Sequence, residues 1–208
     1  MNQGRIIVIT GAPGTGKTTT ASAVAKESDL EKSVHMHTDD FYHYLSKGAI
    51  PPHLPESNEQ NLIVIEAFLE AAKRYARGGY DVIVDGIIGP WFLKPWQSLV
   101  REHYEVHYII LRASKEETLK RAVERSKLDR KTNIELVETM WEQFCNLGIY
   151  ESNVIDTTTY MIVIRQGGEW ICQKVLNIHN SLKKMLFSIE RIILNCRFVK
   201  QPKILGYL

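Results

Sequence analysis

No apolar run in the 208 residues approaches the roughly 20 needed to cross a bilayer as a helix. Nor does a basic, apolar and small-residue leader precede the first β-type run, so the expected location is the cytoplasm, with no membrane partner. Cysteine is scarce. Cys145, Cys172 and Cys196 are odd in number, far apart and without a C-x-x-C pair, which argues against a disulfide framework and against a zinc site. No internal repeat or low-complexity tract is present, and the histidines show no H-x-x-x-H spacing. His35 and His37 alternate on one β-type run and read as packing or supporting residues. Charge is balanced over the chain, at +2. From residue 171 onward seven Lys or Arg stand against the single acid Glu190, so the preceding 170 residues are net acidic, which argues against a nucleic-acid surface.

What is present begins at once. The run Ile6-Ile7-Val8-Ile9 leads into Gly11-Ala12-Pro13-Gly14-Thr15-Gly16-Lys17-Thr18, which fits G-x-x-x-x-G-K-[ST] at every fixed position and is followed by the helix-forming run from Thr19 to Lys26. A buried strand that delivers a glycine-rich turn to a helix N-terminus surrounds phosphates with backbone N–H groups and a positive dipole end. Residues Gly11 to Thr19 are thus expected to bind ATP, with Lys17 on the β- and γ-phosphates. The Thr18 hydroxyl is expected to ligate Mg2+.

Along the chain, β-type and helical patterns alternate: strands at 5–10, 33–37, 81–85, 104–111 and from 154, and helices at 18–27, 58–77, 114–126 and 134–147. That order predicts an α/β fold of three layers, a P-loop NTPase fold whose central, mainly parallel sheet has five strands. Between them, Leu45 to Ser57 carries Gly48, Pro51, Pro52 and Pro55 and is expected to be a functional loop. The expected division is a nucleotide domain over 1–170 and a basic helical extension over 171–208, the latter docking on the sheet through one apolar stripe.

Open parallel sheets bind ligands at the carboxyl ends of their strands, where this chain places Asp39 and Asp40, Asp85 and Arg112. Phosphoryl transfer to a hydroxyl needs a carboxylate at the acceptor, a metal ion and nearby cations. Asp39 is the expected catalytic carboxylate with Asp40 as the alternative, either of which also suits capping of the segment from Phe41. Asp85 ends Val82-Ile83-Val84 and suits magnesium or substrate. Arg121 and Arg125 share a helix face, as a lid arginine pair or as solvated charge paired with Glu117. Arg125 is the expected catalytic arginine of that lid and Arg121 a nucleotide contact. Tyr42, His43, Tyr44, His53, Glu56, Trp91, Phe92 and Trp96 are candidates to line an acceptor pocket, Tyr42 and Trp91 foremost, with core packing as the competing role of the tryptophans.

The P-loop, the Thr38-Asp39-Asp40-Phe41-Tyr42 step, the Val82 to Gly86 strand end and Arg121-x-x-x-Arg125 together resemble the nucleoside-, gluconate- and shikimate-kinase branch of P-loop proteins, which includes chloramphenicol phosphotransferase. The resemblance covers about residues 4–156. It implies that Asp39 matches the base of uridine and nicotinamide-riboside kinases and that Asp85-Gly86 matches their acid-Gly pair. Where shikimate kinases carry Asp-x-Asp and Gly-Gly-Gly, this chain has Asp39-Asp40 and Gly86-Ile87-Ile88-Gly89. The expected function is an ATP-dependent kinase of a small hydroxylated molecule, acting as a monomer or homodimer. A nucleotide-driven switch with a binding role, and a toxin-like kinase of a nucleotide sugar, are the alternatives.

Overall fold

β-branched residues dominate the runs that become strands, and where a run is apolar without interruption it lies at the centre of the sheet. The computed structural model describes residues 3–125 and 130–159, with side chains outside 125–133. All of these belong to one unit, Met1–Thr159. The expected basic helical extension over 171–208 lies outside the described residues, as does the division at 170.

The order is β1 (Ile6–Thr10), α1 (Lys17–Lys26), β2 (Ser33–His37), α2 (Thr38–His43), α3 (Asn58–Arg77), β3 (Asp81–Asp85), α4 (Lys94–Arg101), β4 (Val106–Arg112), α5 (Lys115–Arg125), α6 (Arg130–Gln143) and β5 (Val154–Asp156). The strands form one sheet in the order β2-β3-β1-β4-β5, and every pairing is parallel rather than merely most of them. Every residue of β1 and β3 is buried, so helices cover both faces at the sheet's centre. The chain leaves β1 toward α1 where the order turns outward in both directions, the position at which such sheets bind ligands.

Two helices escaped the sequence pattern. The first, α2, has only six residues, with Asp39 and Asp40 in its first turn where carboxylates offset the helix dipole. Neither acid caps it, since its N-cap is His37. The second, α4, starts with Pro95 in its first turn and buries Trp96 and Leu99. Trp96 is 1% exposed and packs 6.0 Å from Phe68, so it belongs to the core and not to a pocket.

Helix α6 also departs from expectation, running from Arg130 to Gln143 instead of 134–147. Arg112 explains its end. Its Nη1 donates to the carbonyls of Phe144 and Cys145, both at 3.1 Å, and its two Nη atoms grip the Glu151 carboxylate at 3.0 and 2.9 Å. Carbonyls at a helix end need such donors. Arg112 is thereby committed to α6 and the turn Gly148–Asn153, and the expectation that it joins the acids near the P-loop is corrected. The same contact holds the Glu151 carboxyl below its usual range.

Phe68 is fully buried on α3 and meets the Phe41 ring of α2 edge-on at 5.0 Å as well as Trp96 of α4. One side chain thus anchors the short helix that carries Asp39. Phe68→Ala should cost about 3–5 kcal/mol of stability. Denaturant titration checks this: the midpoint should fall with little change in slope.

Candidate active site

The P-loop is built by backbone conformation that only glycine takes cheaply. Gly11, Gly14 and Gly16 have φ of +143°, +82° and +93°. At Gly11 a Cβ would lie 2.1 Å from the Leu111 carbonyl oxygen, so the turn also requires close approach to β4. Inside the loop the Ala12 carbonyl accepts from Thr15 Oγ1 at 2.8 Å and from Lys17 Nζ at 3.0 Å. The Lys17 ammonium is therefore folded over the loop. Helix α1 begins immediately after Gly16 with no acid in its first turn, an electrostatic setting that favours an anion at its N-terminus. These features fit a polyphosphate.

From the far side, α5 and the end of β5 hold the loop. Arg121 donates to the carbonyls of Thr157 and Thr158 at 3.2 and 3.0 Å, contacts that of Gly14 at 3.5 Å, and has its Nε 2.7 Å from Glu117. Thr157 Oγ1 donates to the Thr15 carbonyl at 3.0 Å. Arg121 thus touches the P-loop backbone, and the i, i+4 pairing with Glu117 is made as well. Helix α5 includes Arg125, whose side chain, with residues 126–129, lies outside the described ones; the lid expectation falls there. Ser114 Oγ caps α5 by accepting from the Glu117 N–H at 3.2 Å, while the Glu117 carboxylate turns to Arg121 instead of closing a capping box.

Asp85, 2% exposed at the end of β3, is engaged by three side chains. Its Oδ2 accepts from the Thr18 hydroxyl at 2.7 Å. Its Oδ1 lies 2.7 Å from His35 Nε2 and 2.8 Å from His37 Nδ1. Register explains the convergence. His37 pairs with Asp85 across β2 and β3, and His35 is two residues earlier on the same face. The sequence reading of these histidines as packing or supporting residues fits their contact with Asp85, but it did not name the acid they meet. The Thr18 hydroxyl and Asp85 carboxylate are oxygen donors suited to magnesium.

Next to Asp85, Gly86 allows β3 and α2 to touch. A Cβ there would stand 2.0 Å from Thr38 Oγ1, so this glycine sets the distance between the strand end and the Asp39-bearing turn. Asp39 and Asp40 are both exposed. Tyr42 is partly buried, and that burial, followed by the charge of Asp39, pushes its phenol up to about 12. It is therefore a hydrogen-bond donor at neutral pH. Trp91 is 53% exposed and lies edge-on to Phe144 at 5.1 Å. Tyr44 is 72% exposed, and His43, His53 and Glu56 are exposed too, while Phe92 is intermediate.

The loop from Tyr44 to Ser57 is pinned by the first turn of α3. Gln60 bonds both backbone groups of Ile50, at 2.8 and 2.7 Å, Asn61 donates to the Pro52 carbonyl at 2.8 Å, and Ser57 Oγ donates toward the Pro52 and Leu54 carbonyls at 2.9 and 2.7 Å. No described helix is long and apolar enough to cross a membrane.

The sequence profile of the AAA domain family matches residues 7–143. No curated protein matches the chain. Among solved structures, the APS kinase CysC of Mycobacterium tuberculosis, in complex with AMPPNP and APS, superposes with a TM-score of 0.57 at 14% identity, over 88% of this chain and 99% of that one. A gluconokinase from Sinorhizobium meliloti 1021 gives 0.54 at 15%, over 97% and 100%. A chain of the Pnkp1/Rnl/Hen1 RNA repair complex gives 0.50 at 22%, over 68% of this chain and 45% of that one, so this chain spans under half its length. At such identities the likeness is one of fold, an α/β P-loop NTPase fold with a parallel five-stranded sheet.

Gly86→Ala should destabilise the protein by about 1–3 kcal/mol through overpacking against Thr38. Adding Thr38→Ala should recover part of that loss, a favourable coupling readable in a double-mutant cycle of unfolding free energies.

Proposed function

The chain belongs to the AAA domain family, and on that premise we propose that it is an ATP- and magnesium-dependent phosphotransferase that phosphorylates a hydroxyl group of a small molecule. The observation that carries this reading is the joining of the P-loop to the ends of β2 and β3. Thr18 bonds Asp85, and the adjoining Gly86 rests against Thr38, one residue before Asp39. Nucleotide cradle, metal-type oxygens and an exposed carboxylate thus adjoin, as transfer to a hydroxyl requires.

In this reading the backbone N–H groups of Gly11 to Thr19 hold the phosphates, and Lys17 swings from the Ala12 carbonyl to neutralise charge building on the transferring group. Thr18 and Asp85 hold magnesium. When bound, the ion offsets negative charge on the phosphate oxygens. Asp39 accepts the proton of the acceptor hydroxyl as its oxygen attacks phosphorus, and Asp40 is the alternative base. Tyr42 donates its phenolic proton in a hydrogen bond to the acceptor, and Trp91 offers an aromatic face for it. Arg121 steadies the P-loop on the nucleotide side, and Arg125 is assigned the lid role. The acceptor is a flat or amphipathic small molecule.

ATP consumption measured against panels of nucleosides, sugar acids, and aminocyclitol and phenylpropanoid antibiotics tests the class. A switch protein would show no acceptor-stimulated turnover. Lys17→Ala should abolish transfer in a folded protein; near-normal turnover would remove the P-loop from the mechanism. Asp39→Asn should retain nucleotide affinity while turnover drops roughly a hundredfold or more. A large loss in Asp40→Asn with none in Asp39→Asn would exchange their roles.

A further inference from the structure

The two imidazoles on Asp85 have no part in that mechanism, yet they present a donor set of distinct chemistry. Among the described residues, His35, His37 and Asp85 form the one group of three metal-ligating side chains whose donor atoms all lie within 4.8 Å of one another. The two rings stand with centroids 4.6 Å apart, fixed by strand alternation, and approach the same carboxylate oxygen with different nitrogens. His35 and His37 are partly exposed, at 18% and 34% of their side chains, so an ion can reach them, whereas Asp85 is buried.

Geometry and ligand preference agree. A tetrahedral ion with bonds of about 2.0–2.1 Å holds its donors about 3.3 Å apart. The present 2.7 and 2.8 Å contacts reach that value by separating about half an ångström, within the compass of small side-chain rotations. Magnesium takes oxygen ligands and disfavours such a set, while imidazole with one carboxylate selects zinc, cobalt or nickel. Oδ2, facing Thr18, already fixes the orientation of the carboxylate.

We propose that His35, His37 and Asp85 chelate a divalent cation of the zinc class, through Asp85 Oδ1 and two imidazole nitrogens, with solvent completing the shell. The site shares the Asp85 carboxylate with the proposed magnesium role, taking Oδ1 where Thr18 faces Oδ2, and does not depend on the identity of the acceptor.

The test uses the full-length chain without nucleotide, titrated with zinc chloride in competition with a chromophoric chelator. One zinc per chain should bind and persist in a large excess of magnesium. His35→Gln and His37→Gln should each weaken binding by roughly tenfold or more, at least the loss seen when a supporting group of a metal ligand is removed. His107→Gln, on β4 beside Glu105, should leave it unchanged. Absence of binding, displacement by magnesium, or indifference to both substitutions would overturn the assignment. Should the variants fail to fold, zinc-edge X-ray absorption of the wild-type chain decides. Two imidazoles in a nitrogen and oxygen shell support the site, and a shell lacking imidazole or containing sulfur refutes it.

Discussion

A buried carboxylate survives only if its oxygens are occupied, and the Asp85 carboxylate, 2% exposed, is the group about which this end of the molecule is arranged. Its three partners come from two different elements, Thr18 from α1 and His35 and His37 from β2, while the acid itself ends β3. Removing any partner leaves part of a charge unsatisfied inside the protein. The requirement ties the first helix to the edge strand through a single side chain, and it fixes where the P-loop stands relative to α2.

Around that hub, the scaffold divides its labour. The middle of the sheet is apolar, Ile6 to Ile9 of β1 and Val82 to Val84 of β3 being buried. Polar contacts are concentrated at the carboxyl ends. Thr10 Oγ1 accepts from the Ile88 N–H at 2.8 Å, and Tyr108 donates to the Ile88 carbonyl at 2.6 Å, so the loop after β3 is held by the adjoining strand β1 and by β4 beyond it. Burial raises the Tyr108 phenol well above its usual value, which keeps it a donor at all working pH values. Arg121 does similar work behind the P-loop, linking the Gly14 carbonyl to the residues after β5.

The strands were legible because buried parallel strands read as continuous apolar runs, and α3 was legible from end to end because its twenty residues are amphipathic and stopped by Gly78-Gly79. Short helices were not. Six residues of α2 give less than two turns of pattern, and α4 was obscured by Pro95 and by aromatic residues that suit either a pocket or a core. At the site, the P-loop was legible as a motif with its own mechanism, and Asp85 as an acid at a strand end. The convergence of His35 and His37 on Asp85 depends on the register of β2 against β3, which no local pattern specifies. Arg112 misled for the same reason. Its position at a strand end suggested the site, but the carbonyls at the end of α6 and the Glu151 carboxylate lie nearer to it in space.

The two hydrogen bonds between Gln60 and Ile50 have a thermodynamic consequence. A side-chain amide that satisfies both backbone groups of one residue does what a neighbouring strand would do, so the proline-bearing segment is stiffened beyond its single 3-10 turn at Pro55–Ser57. Its ordering is completed when the protein folds and is not charged again when a molecule arrives beside it. As a wall of the acceptor site proposed above, such a segment would select by shape, favouring molecules that match a contour already set over those that would have to remould it.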